Sequence, residues 1–221
     1  MDFDFSVITA NWRFLAAGVW ITLLLALASG AASLVTGFVL ALLRMRGPHW
    51  LRPVIVFYID SMRAIPVLVV LVWTFFALPI VADVTMSPFM AGLIGLTAHL
   101  SAYAAEIVRA GIESVRPGQT RAALALGMSH PQILRRIVLP QALVRMLPAF
   151  GSLLSVTIKD TAIASVIAVP ELMRQSETVA GQSFQPIEVY TFAMLMYFLL
   201  LYPVTRGVDR FYRRVAHLGR S

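Results

Sequence analysis

The chain has 221 residues, of which 59% are hydrophobic and 13% charged, with no cysteine and a formal net charge of +7. Soluble domains carry about 25% charged residues. At a mean hydropathy of +0.80 this sequence cannot cover a water-facing surface without large apolar patches, so a soluble enzyme, a disordered linker and a disulfide scaffold are excluded. The missing cysteines also remove any thiolate nucleophile or Cys-ligated metal. The basic excess is read as arginine at the cytoplasmic ends of membrane spans, with membrane lipid rather than nucleic acid as the surrounding partner.

A helix needs roughly 20 apolar residues to cross the hydrocarbon core. Stretches poor in charge mark five expected spans, at about 14–43, 64–82, 84–105, 146–168 and 189–205. The leader MDFDF is acidic, and the apolar run after it is about twice the length of a signal-peptide core, so that run is expected to stay as a span. Small residues mark expected helix contacts: Gly30 to Ser33 in the first span, and Gly92 and Gly95 in line with His99, Ala102 and Glu106 in the third. They let backbones approach closely in lipid.

With the N-terminus outside, fifteen basic residues fall on the inner side: Arg44, Arg46, Arg52 and Arg63, six from Arg109 to Arg145, and five from Arg206 to Arg220. Arg13 and Arg174 fall outside. The reverse topology would invert that ratio. The expected fold is therefore an all-α polytopic membrane protein, one domain over 1–221, with a periplasmic N-terminus and a cytoplasmic C-terminus.

Residues 106–145 carry charge too often to span. They are expected to form a helix at 118–126, a turn with Gly127 as C-cap, and a second helix opened by a capping box of Ser129 and Gln132 with Pro131 in its first turn. Leu139-Pro140 is expected to stop that second helix. Such a pair of helices could be a helix-turn-helix reader of DNA, a plain connector, or a docking element for a cytoplasmic protein. Both ends feed membrane spans, which holds the segment against the bilayer and away from a major groove, so docking is preferred.

Lys159 and Asp160 lie near the centre of the fourth span, where each costs about 2.5–3.5 kcal/mol on insertion scales. They should face protein or a water-filled path. Neighbours on a helix point about 100° apart, so one is expected to line a path and the other to brace the bundle. Lys159 shares a stripe with Ser152, Ser155 and Ala162; Asp160 lies nearer Ala149, Val156 and Ala164. Thr161 follows them, and His99, Ser101, Glu106 and Arg63 are further candidates to line a substrate path. Ser101 and His99 diverge on their helix, so no serine hydrolase constellation is expected, and neither an acidic pair nor a His-x-x-x-His suggests a metal.

The run GQTRAALALGMSHPQILRRIVLPQAL resembles the EAA loop of ABC importer permeases, with Ala122, Ala123, Gly127, Leu139 and Pro140 on the family pattern. YIDSMRAIPVLV at 58–69, SAYAAEIVRAGIESV at 101–115 and KDTAIASVIAVPEL at 159–172 are similar to motifs of the polar amino acid permeases of the histidine/glutamate/glutamine/arginine/opine type. Arg121 stands where the family has the glutamate that names the motif. The resemblance implies that 106–145 is a coupling segment whose short coupling helix seats in an ATPase subunit. It implies a multi-pass permease of the bacterial inner membrane, moving a polar amino acid into the cytoplasm by alternating access. The implied partners are an ABC ATPase dimer, a second permease subunit, the same or homologous, and a periplasmic substrate-binding protein, with Glu171 to Glu188 as the loop facing it. The only lysine is not in a Gly-Lys-Ser/Thr phosphate loop, so ATP and Mg are expected on the partner, with no cofactor and no catalytic residue here. An ion-gradient-driven secondary transporter with Asp160 as its ion site is the alternative, although it would need no docking element.

Overall fold

Glycine and alanine let the two longest-packed helices meet. The first long helix, α2 (Trp12–Arg46), follows a single turn, α1 (Ser6–Ala10), and packs along α6 (Pro88–Glu113). At Gly37 a Cβ would lie 2.5 Å from the Ala104 Cβ and 2.8 Å from the Ser101 carbonyl. Such contact stands in for the hydrophobic drive that lipid cannot supply. The computed structural model describes residues 4–215. Arg220 and the first three residues of the acidic leader lie outside the described residues.

Every described regular element is helical. Four helices are long and apolar enough to cross a membrane: Trp12–Arg46, Pro88–Glu113, His130–Ile167 and Pro186–Arg214. The expected span at 64–82 is not a straight helix. It holds α4 (Val67–Phe76) and α5 (Leu78–Ala82) and follows α3 (Arg52–Ala64), with α3 and α4 bent by 107° at Ile65-Pro66. The residue before a proline is pushed out of the helical region, and Ile65 is extended at φ −81°, ψ 131°. Alone, α4 has 10 residues, about 15 Å against a hydrocarbon core of ~30 Å. A fifth crossing exists only if the bent pair counts as one.

The third expected span begins later than 84 and runs past 105. Ser87 accepts the Met90 N–H at 3.2 Å and Pro88 takes the first turn, a strong helix start. The helix continues to Glu113 because its charges pair with one another, Arg109 bridging Glu106 and Glu113.

Between α6 and the fourth long helix, α7 (Pro117–Ala125) ends as expected at Gly127, which is left-handed at φ +78°. Met128 N–H donates to the Ala123 carbonyl and Gly127 N–H to that of Leu124, the paired bonds of a Schellman end. Ser129 N–H donates to Gln132 Oε1 at 2.8 Å, so the capping box forms and opens α8 (His130–Ile133).

The expected stop at Leu139-Pro140 is not observed. A π-turn over Leu134–Val138 leads into α9 (Leu139–Ile163) and a 3₁₀ turn at Ala164–Ile167, so one helical rod runs from His130 to Ile167. A proline inside a helix clashes with the carbonyl four residues back and leaves an acceptor unmet. The π-turn widens the backbone just before Pro140, with Leu139 N–H donating to the Leu134 carbonyl, and Gln141 Nε2 donates to the Ile137 carbonyl at 3.0 Å. Wider turns of this kind absorb such breaks within a helix.

The stretch from Glu171 is not a loop. It forms α10 (Leu172–Ser183), followed by α11 (Pro186–Val215). Glu171 is 0% exposed and caps α10 by accepting the N–H groups of Met173 and Arg174 at 2.8 and 2.7 Å. Tyr197 on α11 donates to the same carboxylate at 2.8 Å, and Thr22 on α2 reaches it at 3.5 Å. One buried acid thus ties three helices.

The α2–α6 contact predicts a sharp contrast between glycines. Gly37→Leu should lower stability by about 1–3 kcal/mol through overpacking, whereas Gly118→Ala, where an added Cβ meets nothing within 4 Å, should be near neutral. Thermal unfolding of the purified protein in detergent measures both.

Candidate functional site

A cavity of 890 Å³ opens between α4, α6 and α9. His99, Tyr103, Glu106 and Ala110 line it from α6, at the four- and three-residue steps that keep one helix face. Asp160 lines it from α9, Arg63 from the end of α3, and Arg145 from the start of the rod's membrane section. Asp160 and Arg145 are fifteen residues apart, about 22 Å along a helix. The cavity therefore reaches from mid-span to the arginine-rich end.

Its wall is held by specific contacts. Tyr103 donates to the Arg63 carbonyl at 3.3 Å, and the Arg63 guanidinium lies 5.8 Å from the Tyr103 ring. The His99 and Tyr103 rings are 5.3 Å apart. Glu106 accepts from Arg44 of α2 at 2.9 Å and from Arg109, while Arg145 donates to the Ser114 carbonyl. His99 is 6% exposed, and its Nδ1 has no hydrogen-bond partner among the described residues. Nδ1 itself has almost no accessible surface, so it faces packed atoms and the rest of the ring borders the cavity.

Four of the seven path candidates from the sequence, Arg63, His99, Glu106 and Asp160, line this one space. The other three do not. Ser101 is buried on another side of α6, bonded to the Ala98 carbonyl at 2.9 Å and to the Tyr58 hydroxyl at 3.0 Å. Thr161 is buried with its hydroxyl on the Ile158 carbonyl at 2.7 Å. Lys159 is exposed on a separate face of α9, in a groove shared with Ser152, Ser155, Thr205, Asp209 and Tyr212. Tyr103 and Arg145 are lining residues outside the seven candidates. The sequence signal for Tyr103 is its place on the His99–Glu106 stripe; Arg145 reads from sequence as one more basic residue at the inner end of a span.

At the arginine-rich end, α7 is anchored by Ala123, which packs with Ile133, Val115 and Ile59. Gln119 of α7 and Gln141 of α9 are hydrogen-bonded. Arg121, Ala122 and Leu124 are left exposed, and Leu126 just beyond the helix is 82% exposed. Two large apolar side chains bared beside an arginine, on a helix fixed from below, form a surface suited to another protein. Of the distal pair, Leu139 is half-buried and Pro140 exposed along the rod.

Comparison with known proteins agrees with this geometry. Residues 33–217 match the family described as binding-protein-dependent transport system inner membrane component. The chain is 36% identical over 189 residues to the "Probable amino-acid ABC transporter permease protein y4tF" of Sinorhizobium fredii, covering 83% of this chain and 79% of that one. It is 32% identical to the glutamine transport system permease protein GlnP of Escherichia coli, covering 97% of this chain and 99% of the relative. A solved chain from an amino acid ABC transporter crystallised with histidines superposes with a TM-score of 0.90 at 32% identity, over 97% of this chain and 100% of its own length. The chain belongs to the binding-protein-dependent transport system inner membrane components and is the permease subunit of an ATP-driven ABC importer, a transport component rather than an enzyme.

Proposed function

We propose that the chain passes a polar amino acid from the periplasm to the cytoplasm across a bacterial inner membrane, by alternating access around the Asp160 cavity. The observation that carries this reading is the gathering of two acids, Asp160 and Glu106, and two arginines, Arg63 and Arg145, around one space. A zwitterion brings an ammonium and a carboxylate, and charge-assisted hydrogen bonds to groups of both signs would hold it where water is scarce. Two relatives are named for amino acid or glutamine transport, which supports the same substrate class.

The family's importers imply ATPase, second permease and binding-protein partners, and this chain offers a surface for each. The bared face of α7, with Arg121, Leu124 and Leu126, is the coupling surface for an ABC ATPase dimer that holds ATP and Mg. The Lys159 groove is the face of a second permease subunit. An ammonium at mid-span cannot be left to lipid, and Lys159 forms no ion pair within 4.0 Å among the described residues. The outward end of α10, where Phe184 is 88% exposed, is the contact for a periplasmic binding protein.

Two outcomes test this reading. Asp160→Asn should lower uptake about tenfold, the worth of one charged hydrogen bond, with membrane abundance little changed. Parallel loss of uptake and abundance would assign Asp160 to packing instead. Gly127→Leu meets no atom within 4 Å at its Cβ but must hold φ +78°, a strain of about 1–2 kcal/mol for an L residue. It should raise the ATP hydrolysed per amino acid imported in proteoliposomes; an unchanged ratio would remove the coupling role.

A further inference from the structure

The contact between α9 and α11 divides two grooves of opposite character. Gly151 and Val208 line both. On one side lie Lys159, Asp209, Ser152 and Ser155. On the other is a groove of 490 Å³ between α2, α9 and α11, where Gly30, Gly151 and Gly207 lie among large apolar side chains. Its two hydroxyls are already committed: Ser33 donates to the Gly30 carbonyl at 2.8 Å and Thr157 to the Leu153 carbonyl at 2.9 Å. Nothing polar is left to hold water there, and an apolar hollow stays dry.

The groove has the length of half a bilayer. On α9 it runs from Leu147 to Thr157, about 15 Å at the helical rise, against a hydrocarbon core of about 30 Å. On α11 it is lined by Gly207 and Phe211. Arg214, three residues further, is the next residue on that face. Arg214 is exposed and makes no ion pair within 4.0 Å among the described residues. An apolar slot with an arginine that forms no ion pair among the described residues one turn beyond its end matches a lipid tail continued by a phosphate.

We propose that the α2–α9–α11 groove is a binding site for an anionic phospholipid of the leaflet on the arginine-rich side, its acyl chain along Gly207 and Phe211 and its headgroup on Arg214. A second copy of this chain suits the groove poorly, since its mid-span lysine would find only hydrocarbon there, whereas the Lys159 face offers hydroxyls and a carboxylate.

The test uses the purified importer complex in nanodiscs of phosphatidylcholine with a minor fraction of phosphatidylglycerol, followed by mass spectrometry of the lipid retained in detergent. Wild type should retain phosphatidylglycerol enriched over the supplied mixture. Arg214→Gln should keep a bound lipid but lower that enrichment about fivefold, the effect of one arginine at an anionic surface. Gly207→Leu, whose Cβ meets nothing within 4 Å, should fill the slot and lose retained lipid while the complex stays intact on gel filtration. The proposal is overturned if wild type shows no enrichment, if Arg214→Gln retains full enrichment, or if Gly207→Leu retains as much lipid. It is equally overturned if Gly207→Cys, the sole cysteine in such a chain, forms a disulfide between two copies in the membrane.

Discussion

Two apolar helices in lipid gain nothing by excluding water from between them, so their association depends on how closely the backbones can fit. Gly37 provides that fit here, with α6 so near that no Cβ could be added without moving Ala104 or the Ser101 carbonyl. The contact fixes the rotation of α6 about its own axis. Ala102 and Ala105 are thereby committed to the packed side, and His99, Tyr103 and Glu106 to the cavity. Two turns beyond Gly37, Arg44 reaches Glu106 across the same seam at 2.9 Å. The electrostatics of the cavity mouth thus follow from a packing decision made by one glycine.

Buried polar groups divide the molecule into settled and unsettled regions. Around Glu171 the accounting closes: two backbone N–H groups, a tyrosine and a threonine converge on one carboxylate. That knot holds α2, α10 and α11 together and leaves no capacity for a guest. Around His99 it does not close: its Nδ1 has no partner among the described residues, while the ring borders the 890 Å³ cavity. Low local polarity makes an unmet group costly, and Thr97 Oγ1 and Gln141 Oε1 are likewise unmet among the described residues.

Much of this was legible in the sequence, and the failures share a cause. Four long helices, the Gly127 end and the Ser129 capping box follow from residue type and short spacing, and the structure contains them all. Asp160, His99, Glu106 and Arg63 belong to a set of seven candidates, and residue type and spacing do not separate them from Lys159, Ser101 and Thr161, which lie elsewhere. The errors arose where one local signal had to be weighed against its surroundings. Ile65-Pro66 breaks its helix and Leu139-Pro140 does not, although both are apolar-Pro pairs. The difference is a π-turn just ahead of Pro140, which has no period to read. Glu171 to Glu188 reads as a polar loop because composition cannot show that Glu171 turns inward to cap a helix. Lys159 and Asp160 face different grooves, as neighbours 100° apart must, but Lys159 is exposed, with no bracing ion pair among the described residues, in a groove made by α11, some fifty residues away.

The unbroken rod changes what the short helix α7 can do. Had Pro140 ended the helix, a push on α7 would have been lost in a hinge before the membrane. Instead the Gly127 turn passes directly into a helix that carries Asp160 thirty residues beyond His130, about 45 Å along the axis. Gln119 bonded to Gln141 and Arg145 bonded to Ser114 brace the lower rod against α7 and the end of α6. In the proposed transport cycle, an ATPase gripping α7 therefore holds one end of the element whose other end lines the substrate cavity. In that reading Arg121, where the resembled motif has glutamate, would alter the sign of the grip and leave the mechanical connection intact, because the rod is joined to α7 through Ala123, Gln119 and the glycine turn.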